Sequence, residues 1–385
     1  MPPRFIIMFS VVLSLLVATH GYLGWRHISP SGLTGASRVA AWALVVVTGC
    51  LLVLGFTGRF WLKPPLSDIA AWVGFIVLGL FSFVFVTTVL RDVIWLAAKV
   101  GRVLPEDLDR RTMLLRMTNL AVLGTSGVLT AVGVAGARRR AAIVDVVVPV
   151  VGLPAGLDGF TIAQITDVHV GPTIKKHYIE AIVKGVNSIG ADLVAITGDV
   201  VDGSVADLAE HIAPFANLKG KHGVFFCTGN HEYYSGADEW VAELTRLGVR
   251  CLMNEHVVVE HNGASVAVAG VTDFNAEHVL PAHASNPQRA MANAPVDAFK
   301  LLLAHQPRSC TAAAAAGVQL QLSGHTHGGQ FVPWNFFVKL QQPFVAGLDR
   351  FKDMWVYTSR GTGYWGPPVR VGAPSEITRL RLVRA

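Results

Sequence analysis

The chain has 385 residues, of which 52% are hydrophobic and 15% charged, with a formal net charge of +6. Soluble domains average about 25% charged residues, so part of this sequence is not built to face water. The excess positive charge sits in the first 140 residues, which hold 14 Lys/Arg against 5 Asp/Glu; the rest holds 18 against 21, which gives nucleic-acid binding no support.

Four uncharged stretches open the chain, at residues 5–25, 39–58, 69–90 and 117–136. A helix of about 20 apolar residues crosses the hydrocarbon core of a bilayer. Four such stretches separated by short charged loops predict a four-helix transmembrane region over residues 1–140. The first is too long for a signal-peptide core and lacks a small-residue cleavage site, so it reads as a retained span. His20 lies within it and is assigned no role. With four spans, the two ends of the chain share one side of the membrane. That side carries Arg4, Arg59, Lys63 and Arg138 to Arg140, fewer basic residues than the other, which points to an extracytoplasmic C-terminal domain. The Arg138–Arg140 triplet pulls towards the cytoplasmic alternative. Arg110-Arg111 reads either as an internally placed twin-arginine export signal or as an interfacial anchor.

Residues 141–385 form the second predicted domain, an alternation of short strands and helices. Strands are predicted at 143–151, 160–166, 193–197 and 223–228, with helices at 174–189, 205–218 and 237–247 between and after them. A strand pair follows at 257–260 and 265–271, joined by His261-Asn262-Gly263-Ala264. Residues 275–298 lack periodicity and predict a loop or short helix over the site. Further strands are predicted at 300–304 and 318–322, with a helical segment at 312–316. The four cysteines show no metal-type spacing.

Five polar islands end these apolar runs: Asp167-Val168-His169, Gly198-Asp199-Val200-Val201-Asp202, Gly229-Asn230-His231-Glu232, Ala304-His305 and Gly324-His325-Thr326-His327. They supply carboxylates, imidazoles and one amide, the donors that borderline divalent metals accept. In α/β sheets, ligands collect at the carboxyl ends of strands, so the islands are expected to share one crevice. The other histidines of the domain, such as His177 and His211, lack ligand spacing and read as surface or core residues.

In this order, the five islands resemble the calcineurin-like metallophosphoesterase superfamily. The longer run from Ser323 to Gln330, and Ser359-Arg360-Gly361-Thr362-Gly363, resemble its membrane-associated bacterial branch, which includes relatives of UDP-diacylglucosamine hydrolases. The resemblance covers about residues 143–383. It implies a four-layer α/β domain, with two mixed sheets packed face to face and helices outside. It also implies a pair of divalent ions (Mn, Fe or Zn), one held by Asp167, His169 and His327, the other by Asn230, His305 and His325, with Asp199 bridging them. A bridging water would ionise near neutral pH and attack the phosphorus. His231 would be the catalytic residue that protonates the leaving oxygen. Asp202 would orient a ligand imidazole or cap a helix. Arg360 and Arg370 would pair with phosphate or form salt bridges. Arg308 departs from the acidic residue often found there in relatives, which changes the charge at the rim.

The expected function is hydrolysis of a phosphodiester, pyrophosphate or phosphomonoester at a membrane, the anchor suggesting a lipid-linked substrate. The alternative is a non-catalytic metal-binding sensor or scaffold, against which the complete ligand set and His231 both argue.

Overall fold

The computed structural model describes residues 3–385. Its contacts divide it into two units, one up to Ala135 with Gly366–Val369 and the other Gly136–Trp365 with Arg370–Ala385.

The N-terminal region is helical: α1 (Pro3–Ile28), α2 (Gly35–Thr57), α3 (Leu66–Val100) and α4 (Leu108–Ala137). Among the described residues, three helical segments are long and apolar enough to cross a membrane: Gly35–Phe60, Leu66–Val100 and Leu108–Ala137. The expected first span, 5–25, falls on α1; its crossing, and the even count that would put both chain ends on one side, remain proposals. The helices outrun the uncharged stretches because charged residues are good helix formers once an apolar core has nucleated the turn. At one end of α3, Asp92 accepts from Arg26 at 2.6 Å, Arg91 at 2.7 Å and Tyr22 at 2.6 Å, so its charge is compensated. α2 and α3 meet at Gly55 and Gly74, where a Cβ on either would lie under 3 Å from the other's backbone. Such close backbone approach is how membrane helices gain packing energy without a hydrophobic driving force.

The second unit is α/β. One six-stranded sheet has the order β1 (Ala142–Val150), β12 (Glu376–Arg384), β2 (Thr161–Ile165), β3 (Leu193–Thr197), β4 (Val224–Cys227) and β5 (Arg250–Cys251). The other has β10 (Gly347–Phe351), β11 (Met354–Thr358), β9 (Leu320–Ser323), β8 (Phe299–Leu303), β7 (Ala264–Gly270) and β6 (Glu255–His261). Both sheets are mixed: β2 to β5 run parallel while β12 opposes β2, and β7, β8, β9 and β11 run parallel between antiparallel edges.

β3 shows how the sequence builds this. All five of its residues are buried, because both faces are covered. Leu193 and Ala195 point into the core between the sheets with Leu301, Leu303, Leu320 and Leu322 of the facing sheet. Val194 and Ile196 point the other way, against α5 (Lys176–Ile189), α6 (Val205–Ile212) and α8 (Ala237–Arg246), through Ile182, Val186, Leu208, Trp240 and Leu244. On the far side, α9 (Pro287–Ala290) and α10 (Cys310–Ala315) cover Ala269, Leu302 and Val356. The expected helix 205–218 is α6 followed by a 3₁₀ turn, Ala213–Asn217, because Pro214 cannot donate within an α-helix. The β6–β7 turn places Asn262 and Gly263 at positive φ, as a two-residue hairpin loop requires.

β2, β3, β4, β8 and β9 all bring their C-terminal ends to one edge of the sandwich, and each of the five polar islands begins one or a few residues beyond them.

Candidate metal centre

Five of the ligand-type residues, Asp167, His169, Asp199, His325 and His327, have φ between 51° and 70°. A non-glycine residue in this left-handed region is uncommon and costs about 1–3 kcal/mol, and such conformations concentrate at functional sites. Here the positive φ turns the chain sharply past each strand end so that successive polar side chains face the same crevice. The flanking glycines leave no room for anything larger. A Cβ on Gly324 would lie 2.1 Å from Asp167 Oδ2, and one on Gly198 would lie 2.5 Å from the Gly229 nitrogen.

Three overlapping groups result, each with ligand atoms within 4.8 Å of one another: Asp167, His169 and His327; His169, Asp199 and His231; and Asp199, His305 and His325. Asp199 belongs to two of them and therefore lies between the outer pair. Its Oδ2 is 3.0 Å from His305 Nε2, 3.9 Å from His169 Nε2 and 4.0 Å from His231 Nε2. His169 Nε2 and His327 Nε2 face each other at 3.1 Å, and His305 Nε2 and His325 Nδ1 at 3.2 Å.

The imidazoles are oriented from behind. His169 donates from Nδ1 to Asp202 Oδ1 at 3.0 Å, and His305 donates from Nδ1 to the Thr197 carbonyl at 2.8 Å. In their neutral forms both therefore offer an Nε2 lone pair to the crevice. The same Asp202 oxygen takes His231 Nδ1 at 2.6 Å, leaving His231 Nε2 facing Asp199. Asp202 serves as the orienting carboxylate rather than as a helix cap. Asn230 Oδ1 is buried and has no hydrogen-bond partner. A buried amide oxygen without a donor costs about 1–3 kcal/mol unless something else satisfies it.

The electrostatics carry the same message. Burial disfavours the Asp199 carboxylate, but His305 and His231 beside it override burial and hold it well below its ordinary range. Burial likewise opposes a charged His305, yet Asp199 holds that imidazole well above its usual value. Asp199 thus draws a positive charge to the spot that His325 also faces. His325 is pushed down to about 3 by burial and by His305, so it is a neutral donor. His327 is also driven down, by burial and then His169. The set gathers carboxylates, imidazoles and one orphaned amide oxygen, and Asp199 draws a positive charge into it. A pair of divalent cations fits it.

Three residues have roles that the motif reading did not assign. Glu232 is fully buried and accepts from the backbone nitrogens of Asp199 (3.0 Å), Val200 (2.7 Å) and Gly229 (2.6 Å), tying two of the islands together. Its spacing three residues after Gly229, at the start of α7 (Asn230–Ser235), is the helix-start pattern that would have found it. Arg370 is buried, donates to the carbonyls of Arg360, Gly363 and Ala373, and lies 3.2 Å from His327 Nδ1. Arg360 pairs with Glu376 at 3.0 Å. Of the two uses expected for these arginines, Arg360 takes the salt bridge, while Arg370 takes neither and packs behind a ligand-type histidine. Asp273, also buried, accepts from Gln306 at 2.9 Å and from the Asn275 nitrogen at 2.8 Å, which braces the loop behind His305.

Residues 160–329 match the family model described as calcineurin-like phosphoesterase. A transmembrane protein with metallophosphoesterase domain from Bos taurus is 37% identical over 301 residues, covering 75% of this chain and 67% of that one. This chain belongs to the calcineurin-like metallophosphoesterase family. The corresponding protein of Danio rerio is 36% identical over 278 residues, 70% of this chain and 63% of its own. An uncharacterized metallophosphoesterase of Helicobacter pylori is 39% identical over 224 residues, 58% of this chain and 59% of its own. The chain thus spans about six-tenths to two-thirds of the length of these relatives. Its ligand-type residues all lie within the stretch that the family model matches.

Proposed function

We propose that this metallophosphoesterase is a membrane-anchored hydrolase of phosphoric esters that works with two divalent ions of the Mn, Fe or Zn type. Support comes above all from one observation: two three-residue ligand groups meet at Asp199, and the buried amide oxygen of Asn230, which precedes His231, lacks any donor. In this reading Asp167, His169 and His327 hold one ion, Asn230, His305 and His325 the other, and Asp199 both. Bound there, the ions supply Lewis acidity towards the phosphoryl oxygens and lower the pKa of water.

The chain's own residues do the rest. Asp202 fixes the His169 and His231 rings through one oxygen. His231, raised to about 9 because Asp199 and Asp202 outweigh its burial, keeps its proton at neutral pH and presents it from Nε2 to the leaving oxygen. Tyr234 and Trp365 stand beside His231, with ring centroids 5.4 and 5.6 Å from its own.

We take residues 1–140 as the anchor and 141–385 as the catalytic domain, placed outside the cytoplasm. The anchor favours a substrate at the membrane, a lipid-linked phosphodiester or diphosphate in particular. The test is hydrolysis of bis(p-nitrophenyl) phosphate and p-nitrophenyl phosphate by the detergent-purified chain with Mn²⁺ or with chelator, beside Asp199→Asn. Metal-dependent turnover absent from the variant is expected; equal turnover in the variant would refute the mechanism. A periplasmic or cytoplasmic reporter fused after Ala385 decides the side.

A further inference from the structure

The α/β unit carries an apolar segment that its own core does not absorb. Directly after the Gly328-Gly329 pair, residues 332–340 read Val-Pro-Trp-Asn-Phe-Phe-Val-Lys-Leu and form α11 (Trp334–Phe337) and a 3₁₀ turn (Val338–Leu340). Phe336 is 71% exposed, Phe337 53% and Leu340 85%. With Val332 and Trp334 also exposed, five large apolar side chains in nine residues face out, which is costly in water at roughly 1.5–3 kcal/mol for each against full burial.

The segment is fixed to the site rather than free. A Cβ on Gly329, two residues past His327, would lie 2.2 Å from the Asn335 Cα, so α11 packs on the backbone of the last polar island. Gln330 and Trp365 exchange two hydrogen bonds, of 3.0 and 2.9 Å, which link the start of the segment to the ring that flanks His231. From 298 to 348 the chain contains no Asp or Glu, while Lys339 and Arg308 are present. Aromatic and aliphatic side chains with an occasional lysine and no carboxylate are what the headgroup region of a bilayer accepts.

Strand register says at which end of the sheet the chain enters. Chain entry into the sheet is at Ala142, five residues after α4 ends at Ala137, so the two Cα atoms are at most about 18 Å apart. Ala142 pairs with Glu376 in parallel, and β12 runs antiparallel to β2. The first residue of β1 therefore lies at the end of the sheet where β2, β3 and β4 finish and where the polar islands begin. The end that carries the site is the end tethered, through Arg138–Ala141, to the last apolar helix.

We propose that residues 332–340 are an interfacial membrane element, inserting Phe336, Phe337 and Leu340 among the lipid headgroups and holding the mouth of the site at that depth. This goes beyond the proposed hydrolysis and does not require it. If both hold, the substrate is a phosphoester reached from the plane of the bilayer.

The test uses the full chain in vesicles of phosphatidylcholine and phosphatidylglycerol. Cys50, the one exposed cysteine, is replaced by Ser, and a fluorescent NBD label is attached through Phe337→Cys or, as a control, through Val296→Cys at an 88% exposed position. Blue-shifted emission at 337, quenched several-fold more by doxyl-labelled phosphatidylcholine than at 296, is the expected result. Water-like emission at 337 overturns the proposal. So does a blue shift that doxyl lipid fails to quench, because protein rather than lipid would then cover the segment. A chain inactive on every phosphoester but quenched at 337 would refute the hydrolase reading alone.

Discussion

Replacing Asp202 by Asn keeps the size of the side chain and an oxygen able to accept from an imidazole, and removes one negative charge 2.6 Å from His231 and 3.0 Å from His169. His231 is raised from 6.5 to about 9, equivalent to about 3.4 kcal/mol in favour of its protonated form. Burial works against that preference, and Asp199 and Asp202 produce it. A charge-assisted hydrogen bond contributes about 1.5–3 kcal/mol. Neutralising Asp202 should therefore lower the His231 pKa by about 1–2 pH units. His231 acts in its protonated form, so activity is lost as pH rises through its pKa. The assay is kcat against pH from 6 to 10.5 on a chromogenic diester at saturating Mn²⁺, so that weaker metal binding does not mask the effect. The parent chain should show an alkaline limb that moves to lower pH in Asp202→Asn and vanishes in His231→Asn. Stability follows the same sign: the pair's contribution is complete below pH 6.5 and lost as pH rises through about 9. An alkaline limb that stays at the same pH in Asp202→Asn would refute the assignment of His231 as the acid.

Three further outcomes are expected. Glu232→Ala leaves three buried amides without an acceptor, at about 1–3 kcal/mol each before any water replaces the carboxylate, so thermal unfolding in detergent should shift down by several degrees; an unchanged Tm would mean these amides find other partners. Gly324→Ala pushes a methyl carbon against Asp167 Oδ2 and Thr166 Oγ1 and should abolish metal retention, read by elemental analysis after dialysis. Arg370→Lys loses the fork that joins three carbonyls and abuts His327, and should weaken metal affinity about 10–100-fold while the chain still folds; undiminished affinity in a competition titration with a metallochromic indicator would remove Arg370 from the support of His327.

What was legible in the sequence follows from where the constraints are local. β3, at 193–197, reads correctly because a strand buried on both faces is a continuous apolar run bounded by an aspartate and a glycine. The join read at His261–Ala264 is tighter in the structure, where His261 and Ala264 pair and only Asn262-Gly263 turn. The five polar islands stand out because each interrupts such a run, and the structure brings them to one crevice. β10, β11 and β12 were not anticipated. β12 alternates Arg379 and Arg381 with Leu380 and Leu382, and its place between β1 and β2 depends on pairing partners more than 200 residues away. The use of Arg370 escaped because its partners are mostly backbone carbonyls, which leave no mark on composition, whereas Glu232 carried a helix-start spacing that went unused. The helices of the N-terminal region run past the uncharged stretches because hydropathy marks the membrane-embedded part and not the helix end.

The central claim is that these seven residues hold two metal ions that turn over a phosphoester, and metal content measured alongside activity tests it most directly. The detergent-purified chain is stripped with chelator and titrated with Mn²⁺, with bound metal read by elemental analysis and hydrolysis of bis(p-nitrophenyl) phosphate followed at each point. Two ions per chain are expected at saturation, with hydrolysis appearing as the second binds, and neither in Asp199→Asn. One ion or none at saturation, or hydrolysis unaffected by chelator, would contradict the account.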